Sequence, residues 1–383
     1  MTSAPGGRDG GAPDRGNPMH ATEQGTAEFI ARRSCGPGHA RSALGLTLSS
    51  LGMGSYLGKD DDAVDALYAE AVRASLAAGI NVIDTSINYR HQRSERALGA
   101  GLRAAFAAGE ARREEVLFCT KAGYLPFDRS LPPDPHGWLF RTWVESGIAQ
   151  PREIVSGCHC LAPRYLEDQV ARSLANTGLA AIDVLYLHNP EQQMDQVSPG
   201  EFLDRWRAAC VLLERMADLG RIRFYGAATW NGLRIPRGAP GHLHLESLVR
   251  AAREAGGDRH RFRVLQLPYN LAMLEACWEP TQSVAGRSIP LTQAAAELGL
   301  IVFSSVPLLQ GKLTRGAPDD LRKIYPGLAT DAQRALQFVR NSPGIVAPLV
   351  GMKSVAHVAE NAVVFHEPLA PAAEFEKLFS RYE

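Results

Sequence analysis

From Leu51 onward, short apolar runs bounded by glycine or turn residues alternate with longer segments in which apolar residues recur at helical spacing. The runs predict strands at 51–54, 82–84, 116–121, 182–187, 223–227, 264–267, 300–304 and 346–349. The longer segments predict helices at 62–78, 94–108, 163–176, 199–219, 243–255, 291–298, 331–341 and 355–365. None of the strands shows polar alternation, as expected where both faces are covered.

Helix ends carry local signals. Asp62 and Ser94 read as N-caps, and Gly79, Gly220 and Gly299 follow helices where a left-handed residue is wanted. Eight strand–helix units in a row predict an α/β fold, a (β/α)8 TIM barrel forming one domain with long loops at its C-terminal face. That domain is expected over residues 38–383, with a hairpin at 39–50 covering it. Residues 1–37 are rich in glycine, proline and charge, with few apolar positions beyond Phe29 and Ile30, and are expected to be a disordered N-terminal tail.

Composition narrows the function classes. The 383 residues are 45% hydrophobic, enough for a large core, and 41 basic against 41 acidic residues leave no net charge. A nucleic-acid partner is therefore not expected. No run reaches the roughly 18–20 apolar residues of a membrane helix, and the N-terminus lacks a secretory apolar segment, so the expectation is a cytoplasmic protein without a membrane partner. The six cysteines are scattered, as reduced thiols would be. Cys158-His159-Cys160 lacks a second ligand pair, and no metal is expected.

One connection is long. About forty residues separate Lys121 from the helix at 163, and they hold Tyr124, Phe127, Trp138, Phe140 and Trp143. Such a loop reads either as a lid or substrate wall or as a surface insertion. Shorter excursions at 230–241 and 272–290 leave the same face. Trp138, Trp143, His159 and Trp230 are the candidates for lining a substrate pocket.

The chemistry gathers at strand ends. Asp84 ends the second predicted strand, Tyr89 follows it, Lys121 ends the third and His188 follows the fourth. A phenol titrates near about 10, so a nearby cation is needed to favour its phenolate; Lys121 suits that role, and Asp84 suits keeping the lysine charged. His188 either orients a substrate oxygen or shares in the proton transfer. Such a group fits protonation of a carbonyl oxygen as hydride reaches its carbon.

The chain resembles the aldo-keto reductase family. The resemblance rests on Gly52-Met53-Gly54, on Asn81 to Tyr89, on Ser94-Glu95-Arg96-Ala97-Leu98-Gly99, on Thr120-Lys121, on Ile182 to His188, on Gln266 to Asn270 and on Gly351-Met352-Lys353-Ser354. It spans nearly all of residues 48–366 in order. It implies a catalytic tetrad of Asp84, Tyr89, Lys121 and His188, and a nicotinamide dinucleotide, NADPH above NADH. Gln266 then matches the carboxamide contact, Lys353, Ser354, Glu360 and Asn361 match the adenosine segment, and Gly54 and Asp84 stand among the cofactor residues. The chain departs from the family pattern at Ala228-Thr229, where Thr229 or Asn189 would meet the carboxamide, at Ser304 or Ser305 in place of an aromatic, and at His357 in place of an arginine.

The resemblance implies reduction of an aldehyde or ketone, with a small-molecule carbonyl or alcohol as partner and a monomer or weak homo-oligomer as the assembly. Two alternatives stay open: oxidation of a sugar or other alcohol, and a cofactor-binding sensor or regulatory subunit with little turnover. A Rossmann dehydrogenase fits less well, because Gly52, Gly54 and Gly58 are spaced G-x-G-x-x-x-G.

Overall fold

The computed structural model describes residues 18–379. Eight parallel strands close a barrel: β1 (Gly52–Gly54), β2 (Val82–Asp84), β3 (Leu117–Ala122), β4 (Ile182–His188), β5 (Ile222–Ala228), β6 (Phe262–Pro268), β7 (Ile301–Ser305) and β8 (Ile345–Gly351). Each pairs with its sequence neighbours, and β8 closes onto β1 through Leu349 opposite Gly52. Around them stand α1 (Asp62–Ala77), α2 (Arg93–Ala107), α3 (Pro163–Thr177), α4 (Pro199–Asp218), α5 (Leu245–Gly256), α6 (Leu291–Glu297), α7 (Asp331–Asn341) and α8 (Val355–Ala362). The predicted strands and helices agree with these to within a few residues.

Alternation along each strand sorts side chains between two cores. In β3, Phe118 faces the surrounding helices, whereas Leu117 and Cys119 join the barrel interior with Val82, Val184, Tyr186, Val264 and Phe303. Lys121 continues the inward series at the top. The same period that fills the floor with hydrocarbon thus delivers an ammonium to the mouth. Gly226 on β5 makes room for this layering, because a Cβ there would lie 2.1 Å from the Val264 carbonyl oxygen and 2.9 Å from the Tyr186 ring.

The floor is closed by an antiparallel hairpin, Ala40–Ala43 with Leu46–Ser49, whose Leu46 and Leu48 pack beneath the inner core. The hairpin expected at 39–50 is present. The disordered tail is corrected in its second half: Glu23–Ala31 is a helix capped by Thr22, with Phe29 fully buried. Residues 1–17 lie outside the described residues. Local composition misled because this segment is held by distant partners. The Ala21 amide donates to Asp183 at 2.7 Å, and Arg32 donates to Glu115 at 2.7 Å.

Two caps are also corrected. Asp61, not Asp62, accepts from the Val64 amide at 2.9 Å, and the Ser94 hydroxyl instead donates to the Ser55 carbonyl at 2.8 Å. Gly79, Gly220 and Gly299 have positive φ after their helices, as expected. Among the described residues no helix is long and apolar enough to cross a membrane.

Candidate active site

A cleft of about 710 Å³ opens at the C-terminal ends of the strands. At its foot Lys121 Nζ donates to Asp84 Oδ2 at 2.6 Å and to the Thr85 carbonyl at 2.7 Å, while Gln266 Nε2 donates to Asp84 Oδ1 at 2.8 Å. Lys121 Nζ also lies 4.9 Å from the centroid of the Tyr89 ring, close enough for a cation–π contact. The Tyr89 ring stands edge-on to that of His188, with centroids 5.9 Å apart. The four groups predicted from three separate strand ends are therefore brought together.

Their electrostatics follow from burial. Burial alone would strip the proton from Lys121, but the Asp84 carboxylate and Tyr89 outweigh it and hold the ammonium above its usual range. Burial pushes the Asp84 carboxyl up against the pull of Lys121. For Tyr89 the expected balance is reversed: desolvation raises the phenol above its ordinary value, and the lysine only limits the rise. Burial, helped by Lys121, drives His188 well below its ordinary value, so its ring is neutral. Its Nδ1 lies 3.3 Å from the Ser86 hydroxyl.

Walls are contributed by several loops. After β1, Tyr56 packs edge-on against Tyr89, with centroids 5.0 Å apart. Tyr124, from the long loop after β3, stands edge-on to His188 at 5.0 Å and accepts from Asn189 Nδ2 at 3.0 Å. Trp230 lines the cleft as expected. Its turn is fixed by Glu191, whose Oε1 accepts from the amides of Trp230, Asn231 and Gly232 at 2.8, 3.1 and 3.2 Å.

Trp138, Trp143 and His159 do not line the cleft, and those three expectations are corrected. Trp143 is fully buried between Trp138 and Tyr165, anchoring the long loop against α3, because a large ring gains more from an apolar pocket than from a wet rim. His159 sits behind His188 rather than beside the cleft. The excursion at 272–290 contributes no lining residue; it forms a hairpin, Gln282–Val284 with Arg287–Ile289.

The cleft continues from the four groups to β8 and α8. Gly54, Asp84, Asn189, Thr229, Gln266, Lys353, His357, Glu360 and Asn361 all border it. Ser354 does not; its hydroxyl accepts from the His357 amide at 3.3 Å and so caps α8. The Thr229 hydroxyl is buried with no hydrogen-bond partner among the described residues, which leaves it free for a ligand. Sequence reasoning missed the segment after β7, where Val306, Leu308, Gln310 and Gly311 border the cleft. Left-handed Val306, Leu309 and Gln310 shape this segment, and nothing in their residue types announces that backbone.

The comparisons with known proteins agree with this fold. The chain is 25% identical over 342 residues to a D-threo-aldose 1-dehydrogenase from Pseudomonas sp, covering 84% of this chain and 91% of that protein. An aldo/keto reductase from Klebsiella pneumoniae, solved in complex with NADP and acetate, superposes with a TM-score of 0.59 at 18% identity, over 88% of this chain and 92% of its own. The holo form of an aldo-keto reductase from Bacillus halodurans gives a TM-score of 0.59 at 19% identity, over 89% and 94%. The family model described as Aldo/keto reductase family matches residues 50–380, and the chain belongs to that family.

Proposed function

We propose that the protein reduces an aldehyde or ketone to an alcohol with NADPH, NADH being the weaker cofactor, and that Tyr89 gives the proton. The observation that carries this reading is the buried Asp84–Lys121 pair set against the Tyr89 ring at the foot of the cleft. When bound, the nicotinamide dinucleotide supplies hydride. The residues present suit it: Thr229 offers an unpaired hydroxyl, Asn189 and Gln266 offer amides, and Lys353, His357, Glu360 and Asn361 border the far end of the cleft. Lys353 is a cation for a ribose phosphate, next to the free amides at the start of α8.

In this reading the carbonyl oxygen sits between the Tyr89 hydroxyl and neutral His188. Burial keeps the phenol protonated at rest, the form that reduction requires, and Lys121 stabilises the phenolate left after transfer. For His188 to donate Nε2–H to the substrate its Nδ1 must accept; the Ser86 hydroxyl, 3.3 Å away, supplies that proton only by turning from Asn88 Oδ1, to which it donates at 2.5 Å. We infer a cytoplasmic enzyme with a small-molecule substrate, acting on CH–OH groups with NAD(P). The likeness to D-threo-aldose 1-dehydrogenase favours a second reading, oxidation of an aldose through the same groups in reverse.

The test is a panel of aldehydes, ketones and aldoses with NADPH and NADH, in both directions, on the wild type and Tyr89→Phe. Expected is turnover on carbonyls that falls about 10²–10⁴-fold in the variant while cofactor affinity holds. Cofactor binding without turnover on any substrate would instead support a sensor.

A further inference from the structure

The long loop after β3 reaches the site by a route that the cleft does not show. The second strand of its hairpin, Ile154–Val155 with His159–Cys160, opens on His159, which is fully buried. His159 Nε2 lies 2.7 Å from the carbonyl oxygen of His188, and its Nδ1 lies 2.8 Å from Gln193 Nε2. Gln193 Oε1 in turn accepts from Arg205 Nη1 at 2.7 Å.

The direction of this chain is fixed by elementary chemistry. A guanidinium can only donate, so the glutamine oxygen must face it and the glutamine NH2 must face His159. Nδ1 of His159 is then the acceptor, and Nε2 carries the proton that goes to the His188 carbonyl. Burial holds the ring neutral, down to about 4, so Nδ1 stays available. We propose that His159 is a positioning residue, donating Nε2–H to the His188 carbonyl and so fixing the backbone that carries the His188 ring. This rests on the role given to His188 above.

Two further observations support it. Gly123, two residues beyond Lys121, has φ +143, and a Cβ there would lie 2.9 Å from His159 Nε2 and 3.0 Å from the His188 oxygen. The missing side chain is what lets the two meet. Asn189, the next residue after His188, is left-handed at φ 46. A strained residue persists only where its surroundings over-determine it, and the His159 bond grips the peptide just before it. The long loop is thus a brace behind the site, and among its described residues Tyr124 alone borders the cleft.

The test begins on the wild-type protein with ¹⁵N-labelled histidine. The ring nitrogens of His159 should report the Nε2–H tautomer through neutral pH, whereas an Nδ1–H tautomer would overturn the proposal. This readout needs no substrate, so it fails or succeeds apart from the reductase reading. Kinetics follow: His159→Leu should lower kcat by about tenfold or more with cofactor Kd nearly unchanged, since small displacements of a catalytic group are costly. In His159→Gln the amide nitrogen replaces Nε2, and kcat should return to within about threefold of wild type. Equal loss in both variants, or no loss in His159→Leu, would overturn it. Gly123→Ala should resemble His159→Leu; a fully active Gly123→Ala also counts against it.

Discussion

Asp183 and Asp84 are both buried carboxylates that face a cation, one at the floor of the barrel and the other at its mouth. Asp183 is saturated: Arg113 Nη2 donates at 2.7 Å, the Phe118 amide at 2.8 Å and the Ala21 amide at 2.7 Å. Burial would raise this carboxyl, but Arg113 and those donors carry it below its ordinary value. Asp84 has Lys121 and Gln266, and burial wins. The floor pair joins the N-terminal segment, β3 and β4, and its ionised state favours the fold. The mouth pair is poised, with a carboxyl whose charge is less fully compensated, which is where functional groups are expected.

Deleting each cation tests that contrast most severely. Lys121→Met should lower kcat by about 10³-fold, because it removes the charge proposed to stabilise the phenolate of Tyr89. Its stability loss should be modest, since Asp84 is already inclined to take up a proton. Arg113→Leu should do the opposite: about 3–5 kcal/mol of stability lost by denaturant unfolding, as when a buried pair is broken, with kcat of the folded fraction unchanged. Equal stability losses in the two variants would collapse the distinction.

Acid sharpens the floor half. The folded pKa of Asp183 lies below the ordinary 3.8, so its stabilisation is complete above that value and is lost as pH falls through the folded pKa. Unfolding free energy should therefore drop more steeply below about pH 4 in the wild type than in Asp183→Asn. Parallel acid slopes would show that Asp183 is not an anchor.

At the mouth, Asp84→Asn should act on the basic side. The lysine is held charged above its usual range chiefly by that carboxylate working against burial, so without it the ammonium loses its proton at lower pH. The alkaline limb of the kcat/KM profile should move down, with about a tenfold loss near the old optimum. A limb that stays in place would mean that another group titrates there.

Much of this was legible in the sequence for a physical reason. Strands buried on both faces must be apolar throughout, so an ionisable residue at such a strand's end stands out, and Asp84, Lys121 and His188 were found that way. Trp138 and Trp143 carry no such signal, since aromatic residues in a long loop serve equally as wall or anchor. His159 and the segment from Val306 to Gly311 were beyond local reading. Their positions depend on a hydrogen-bond chain from α4 and on left-handed backbone, which no residue type there encodes. The helix at 23–31 is hidden likewise, because the chain leading into it is held at Ala21 by Asp183, 162 residues away.

The smallest effect concerns Ser86. Its hydroxyl lies 3.3 Å from His188 Nδ1 and 2.5 Å from Asn88 Oδ1, with one proton to give. A bond of that length contributes little to the fold, so Ser86→Ala should leave stability within about 1 kcal/mol of wild type, unlike any change at Asp183. Its effect should appear in the tautomer of His188, whose Nε2 must carry hydrogen to grip a carbonyl oxygen. Loss of about threefold to tenfold in kcat, with cofactor affinity unchanged, matches the ~1 kcal/mol of one neutral hydrogen bond. Because His188 stays neutral well below its ordinary 6.5, neither protein should show an acid limb in kcat near that pH. An acid limb appearing there in the wild type would mean that His188 takes up a proton near its ordinary value and is lost to catalysis as the imidazolium, against the burial that holds it neutral.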